Sequence, residues 1–231
     1  MFEKIKKYLY RVISILKYST KIKLYNAIVR KSSIDIPSNS NEVILKNVEL
    51  FHSEFLINGK NNHIELNKSS YCIYNLSLKI FGDNNNVRID ENAIIYGLRI
   101  IIRGNGCQVS IGRNFSENQN CTIVCMGENN YIKIGHDCLF SSDIDIWNTD
   151  SHRILNASGD IVNSCLPVKI GNHVWIGKRS CILKGVTLGD NSIVGFSSVV
   201  TKNIEEKSIY AGNPARKIKG EISWSKEYVK N

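Results

Sequence analysis

The sequence predicts an all-β fold, a parallel β-solenoid of stacked coils, on three observations. A six-residue period starts at Ile170, a period of 22 to 23 residues precedes it, and both set one aliphatic side chain where a narrow core needs filling. A helix buries a residue every 3.6 positions and a half-buried strand alternates strictly, so neither accounts for one inward residue in six.

The chain has 231 residues, 42% of them apolar, which suits one large domain with a packed core. Its net charge of +9 is uneven: residues 1–31 hold nine basic side chains against one acid, Glu3, and the other 200 hold 21 basic against 20 acidic groups. The basicity belongs to the N-terminal segment, so the nearly neutral main domain argues against a nucleic-acid partner. No apolar run reaches the roughly 18 residues of a membrane span, and the N-terminus lacks the apolar core and small-residue cleavage site of a secretory signal. The expected location is the cytoplasm. The seven cysteines agree, because none stand as C-x-x-C and an odd count leaves one unpaired in any disulfide scheme.

Residues 1–40 are set apart as an N-terminal segment. Phe2, Ile5, Leu9, Val12, Ile13 and Leu16 recur at helical spacing with lysines between them, which predicts a short basic amphipathic helix. Two roles stay open for it: a peripheral contact of residues 1–31 with the anionic inner face of a membrane, or a cap over an exposed coil end.

Residues 41–220 carry the repeats. Units open at Gly59 (GKNNHIELNKSS), Gly82 (GDNNNVRIDENA), Gly104 (GNGCQVSIGRNF) and Gly127 (GENNYIKIGHDC), spaced 23, 22 and 23 apart. Each is an Asn/Gly turn feeding a short alternating strand. From Ile170 the chain divides into sixes: IGNHVW, IGKRSC, ILKGVT, LGDNSI, VGFSSV and VTKNIE. Position one is always aliphatic, and position five is small or β-branched, as a crowded bend requires. Three such sides make a coil of about 18 residues that cannot bury its face alone and must stack. Residues 221–231 are left as a C-terminal tail.

The count breaks once. Hexads at 66, 89, 111 and 134 are followed by the next at 170, an interval of 36 that leaves about 13 extra residues within 147–167. A solenoid takes such an insertion as a loop projecting at a corner. His152 lies on it.

The hexads of 170–205 together with Y-A-G-N-P-A-R-K-I at 210–218 resemble the hexapeptide-repeat acyltransferases, especially their sugar O-acetyltransferase branch. The resemblance is tight over 134–220, rests on repeat pattern alone over 41–133, and does not cover 1–40. It implies a left-handed parallel β-helix with an extended catalytic loop, acetyl-CoA as co-substrate, no metal, and a homotrimer holding the donor in the groove between neighbouring solenoids. The implied reaction is acetyl transfer to a sugar hydroxyl in a bacterial surface glycan such as capsule or lipopolysaccharide. His152 would be the general base, a task that suits a side chain titrating near neutral pH. Asp150, Asp143 and Asp145 are candidates to orient its imidazole, and each is equally a turn residue bonding its own backbone.

Carried over by motif, Trp175 stands beside the thioester, and the backbone N–H groups around Gly177 and Lys178 receive the oxyanion. Relatives often have Ser at the place of Lys178, so no role is assigned to the lysine side chain. Gly195 fits the pattern along the pantetheine path, where Phe196 replaces the usual small residue. Lys202, Arg216 and Lys219 match positions that meet CoA's phosphates and adenine, and Gly212 and Pro214 shape the adenine-side loop or simply end the solenoid. Trp147 opens the inserted loop as a platform for a sugar ring or as a packing residue.

Three enzyme alternatives are weaker. Amino-sugar nucleotide N-acetyltransferases often carry a separate nucleotide-binding domain, for which there is no room. Serine acetyltransferases have a long helical N-terminal domain. The γ-class carbonic anhydrases need a close zinc-binding His pair, which His52, His63, His136, His152 and His173 do not supply. A non-catalytic binding solenoid gives no reason for a histidine-bearing loop.

Overall fold

The computed structural model describes residues 21–69, 71–227 and 229 and is all-β: a left-handed parallel β-helix whose coils each turn three corners. In chain order the coil of residues 168–188 runs through a first face (Val168–Ile170), a second (Trp175–Ile176) and a third (Cys181–Ile182) before returning to the first (Thr187–Leu188). Stacking places eight parallel strands on the first face and eight on the third. The second face is divided into a three-stranded sheet ending at Ile73–Tyr74 and a six-stranded sheet beginning at Ser116–Gln119.

The hexad reading accounts for the core. Ile170, Ile176, Ile182, Leu188, Val194 and Val200 are each at most 2% exposed, and Val174, Ser180, Val186, Ser192 and Ser198 fill the bends. One apolar cluster runs the length of the solenoid from Ile36 to Ala215.

The longer coils owe their spacing to two ladders at the third-to-first corner. Gly59, Gly82 and Gly104 adopt φ of +151°, +132° and +144°, and a Cβ on each would lie 1.9 to 2.1 Å from the carbonyl oxygen of the next glycine up. Only glycine fits that approach. Beside them runs a ladder of buried asparagines. Asn62 Nδ2 donates to Asn41 Oδ1 (3.1 Å) and to the Gly82 carbonyl (2.9 Å), while its Oδ1 accepts from the backbone and side chain of Asn85. Asn85 Oδ1 in turn accepts from the Cys107 amide at 2.8 Å. The buried turn groups are thereby satisfied, and the register of each coil on the next is fixed.

The seam on the second face is bridged by a side chain. Residues 94–95 join the two sheets through an isolated bridge, Ile94 to Ser116, and the Tyr74 amide on the Ile95 carbonyl at 2.9 Å, and Glu117, 1% exposed, accepts the Tyr96 and Gly97 amides on Oε1 at 2.6 and 2.7 Å. Burial pushes its carboxyl above the ordinary glutamate range against the pull of the two amides and the nearby Cys121 thiol.

The described solenoid already includes residue 21, within the segment set apart as residues 1–40. Strands Lys21–Tyr25, Ile28–Arg30 and Ser33–Asp35 pair in parallel with Glu42–Lys46, Glu49–Phe51 and Glu54–Asn58. This coil lacks the Asn/Gly turn of the others and exposes Leu24 and Ile28, which hid its period. The helix expected over 2–16 lies outside the described residues. The C-terminal tail is also tied down. Trp224 stacks on His173 (4.1 Å, 5°) and donates Nε1 to the His173 carbonyl, and Lys226 Nζ reaches the Asn114 carbonyl at 2.8 Å, so this segment straps the first-to-second corner across several coils.

Candidate active site

His152 stands on a loop that leaves the third-to-first corner after strand Asp145–Trp147 and rejoins at Val168–Ile170. The base is rigid. Asn148 is fully buried, accepting the Met126 amide at 2.7 Å and donating to the Met126 carbonyl at 3.0 Å, and Cys165 Sγ reaches Thr149 Oγ1. Beyond it the loop folds on itself, with Val162 N donating to Ile154 O and an antiparallel bridge between Leu155 and Ile161.

The histidine is held through its backbone and free at its ring. Its amide donates to the Asp150 carbonyl at 2.8 Å, and its carbonyl accepts Asn163 Nδ2 at 2.8 Å. The imidazole is exposed and bonds to no described residue. Asp150 does not orient it: that carboxylate accepts Asn163 Nδ2 and pairs with Lys184 one coil above. Lys184 first, then Asn163, hold its carboxyl below the usual range. Within one chain the other two candidates stand away from His152. Asp143 is at the second-to-third corner, 3.6 Å from Lys178 Nζ, and Asp145 faces Trp147 Nε1 at 3.5 Å. Lys184 and Asn163 escaped the sequence reading because their pairing depends on how an irregular loop lies against the next coil, which no period encodes.

The residues carried over for the donor lie mostly elsewhere. Trp175 projects from the second face, 37% exposed, with its ring 5.9 Å from Trp224, a neighbour nothing in the repeat pattern signals. Gly177, Lys178, Gly195, Phe196, Gly212 and Pro214 follow one another up the second-to-third corner. A Cβ on Gly177 would meet the Phe196 nitrogen at 2.8 Å, and one on Gly195 would meet Ala211 Cβ at 2.7 Å, so both glycines serve close stacking.

Of the two amides expected to receive an oxyanion, the Gly177 N–H is already spent on the Val194 carbonyl at 2.8 Å, a ladder bond of the solenoid. The Lys178 N–H meets no acceptor among the described residues, nor does that of Phe196 one coil above. Phe196 is 60% exposed. Arg216 and Lys219 lie on the strand Arg216–Lys219 at the edge of the second face, whereas exposed Lys202 is at the third-to-first corner, so one chain does not converge the three cations. Trp147 ends its strand half-buried instead of standing free on the loop. Among the described residues no three His, Cys, Asp or Glu side chains converge to hold a metal ion, and no helix is long and apolar enough to cross a membrane.

Comparison with known proteins locates this arrangement. Residues 167–202 match the family model described as bacterial transferase hexapeptide (six repeats). The chain is 39% identical to the galactoside O-acetyltransferase of Escherichia coli K12 over 116 residues, 49% of this chain and 55% of that protein. It is 32% identical to the polysialic acid O-acetyltransferase of Neisseria meningitidis over 147 residues, 55% of this chain and 68% of that protein. The chain spans about half the length of the first curated relatives it matches. Among solved structures, that of the polySia-specific acetyltransferase NeuO superposes with a TM-score of 0.69 at 28% identity, covering 91% of this chain and 89% of that one.

Proposed function

Since this chain belongs to the hexapeptide-repeat acyltransferases, in the branch that holds sugar O-acetyltransferases, we propose that it moves an acetyl group from acetyl-CoA to a sugar hydroxyl of a bacterial surface polysaccharide. The observation that carries this reading is the His152 imidazole, unpartnered and exposed on a loop whose backbone is braced from both sides. His152 takes the proton of the acceptor hydroxyl as its oxygen attacks the thioester carbon. The tetrahedral oxyanion accepts the free Lys178 N–H. Collapse breaks the carbon–sulfur bond, and the imidazolium returns the proton to the departing CoA thiolate. General-base help of this kind contributes about two to four orders of magnitude, and one oxyanion donor about two to three.

The working unit is a homotrimer in this proposal. His152 and the Lys178 amide stand on different corners of the same solenoid, so the reaction needs the histidine edge of one chain against the donor edge of its neighbour. Trp175 then flanks the thioester, and Arg216 and Lys219 lie toward the CoA phosphates.

Calorimetry with acetyl-CoA tests the donor, with saturable binding at about one site per chain expected. His152→Ala is expected to keep that binding and the assembly while losing transfer; full transfer by the folded variant overturns the mechanism.

A further inference from the structure

The donor edge continues down the solenoid into a feature that the reaction above does not use. Where the coils of residues 52–122 turn from the second to the third face, two depressions of about 520 and 420 Å³ share Asn75, Ser77 and Arg99 and so form one groove. Along its second-face lip runs an aromatic ladder. The Phe51 and Tyr74 rings lie 5.3 Å apart edge to face, and Tyr74 and Tyr96 are stacked 6.0 Å apart within 14° of parallel. Tyr96, 42% exposed, lines the groove, and Tyr74 and Phe51 support it from the coils below. On the opposite wall Lys79 is paired to Glu54 at 3.3 Å. Arg99, exposed and lining both depressions, has no carboxylate partner among the described residues.

We infer that this groove is a track for an anionic polysaccharide, with Tyr96 as a platform for a sugar ring and Arg99 reading a sugar carboxylate. The inference rests on the acetyltransferase reading and adds to it where the polymer lies. A sugar ring presents apolar C–H faces and a rim of hydroxyls, so it suits an exposed phenol ring flanked by Asn75, Ser77, Asn120 and Thr122. A guanidinium without a partner offers the planar fork that grips a carboxylate in two bonds. Position along the axis agrees. Residues 75, 97, 120, 143 and 179 occupy successive coils on this corner, and at about 4.8 Å per coil the upper end of the groove, at Asn120, lies about 10 Å below the Lys178 amide. A polymer lying in the groove therefore points toward the thioester, where a single sugar would leave the groove empty.

The test separates this site from the reaction. Binding of polysialic acid oligomers, the polymer named for two relatives, is measured without acetyl-CoA for the wild type, Arg99→Ala, Arg99→Lys and Tyr96→Ala, with dextran as the neutral probe. Expected is saturable binding of polysialic acid over dextran, weakened about tenfold or more by Arg99→Ala and by Tyr96→Ala. Arg99→Lys is expected to fall between, since it keeps the charge and loses the fork. Acetyl-CoA affinity stays constant across the set. Equal polysialic acid binding by all four proteins overturns the site while leaving the acetyltransferase reading standing. Preference for dextran overturns the anionic class, and a change in sedimentation of the variants without a change in glycan binding makes the groove an interface between copies instead. Failure of the wild type to bind acetyl-CoA counts against the parent reading alone.

Discussion

The coils before residue 147 and those after 168 obey the same stacking rule with different means. The earlier ones spend 21 to 23 residues per turn, reach strands of eight residues (Leu98–Asn105, Cys121–Glu128), and fasten their outer corner with glycines and buried asparagines. The later ones spend 18 and at the end 16, with strands mostly of two residues and a buried serine at the bend. The longer coil carries a polar ladder that fixes register; the shorter one leaves backbone amides such as that of Lys178 open to a ligand. Stability devices and chemistry are thus segregated along one axis, and the loop of His152 sits where one regime gives way to the other.

The strongest challenge to that division is His152→Ala, which is expected to cut acetyl transfer by about two to four orders of magnitude while leaving the melting temperature unchanged. Acetylation of a glycan followed by mass spectrometry, beside a thermal melt, checks both halves. Next, Asn62→Ala strands the Asn85 amide and the Gly82 carbonyl in a buried corner. At roughly 1–3 kcal/mol per orphaned group, urea unfolding is expected to show a loss on the order of 3 kcal/mol. Ser180→Ala in the short coils removes two bonds, Oγ donating to the Gly195 carbonyl at 2.9 Å and accepting the Ser198 amide at a longer 3.3 Å, and is expected to cost about 1–2 kcal/mol. Equal losses from the two would erase the contrast between ladders.

The seam between the sheets of the second face is expected to respond to pH. Because burial raises the folded-state pKa of Glu117, the folded protein holds a proton that the unfolded chain has released. Its contribution to stability is fully present below the ordinary glutamate value and is lost as pH rises through the raised one. Glu117→Gln is expected to flatten the fall of melting temperature over that window; an unchanged profile would mean the carboxylate is already ionised there.

The smallest effect is expected at the loop. Asp150→Asn loses the pairing with Lys184, a partly exposed bridge worth about 0.2–1 kcal/mol. Asp150's pKa is lowered, so this bracing is present above the ordinary aspartate value and is lost as pH falls through the lowered one. Hydrogen exchange at the Ile154 and Val162 amides, which close the hairpin, reads it directly.

What could be read from the sequence was whatever repeats. One aliphatic in six gave the core, the recurring glycine marked the corner where backbones meet, and the interval of 36 exposed the loop. Interactions across coils were legible only where the period carried them: the second Asn of GKNNHIEL and GDNNNVRI was visible, its ladder bonds were not. Residues 21–35 were missed because a terminal coil has no turn signal, and the Trp224 strap because it runs along the axis, against the grain of any repeat. The bond of the Gly177 amide to Val194 was illegible for a related reason: which amide a coil spends on its neighbour depends on the phase of stacking, and motif matching does not see it.

The asparagine and glycine ladders also turn the molecule into a ruler. Each rung matches only the rung above, so the chain can lengthen or shorten between the aromatic groove and the Lys178 amide only by whole coils, in steps of about 4.8 Å. Removing the coil of residues 104–126, which closes from one ladder glycine to the next and leaves Tyr96 and Arg99 in place, would set Gly82 facing Gly127 and Asn85 facing Asn130. Such a deletion changes which sugar along a bound polymer meets the histidine without altering a residue of the catalytic loop, so the spacing of the modification is written in the number of turns.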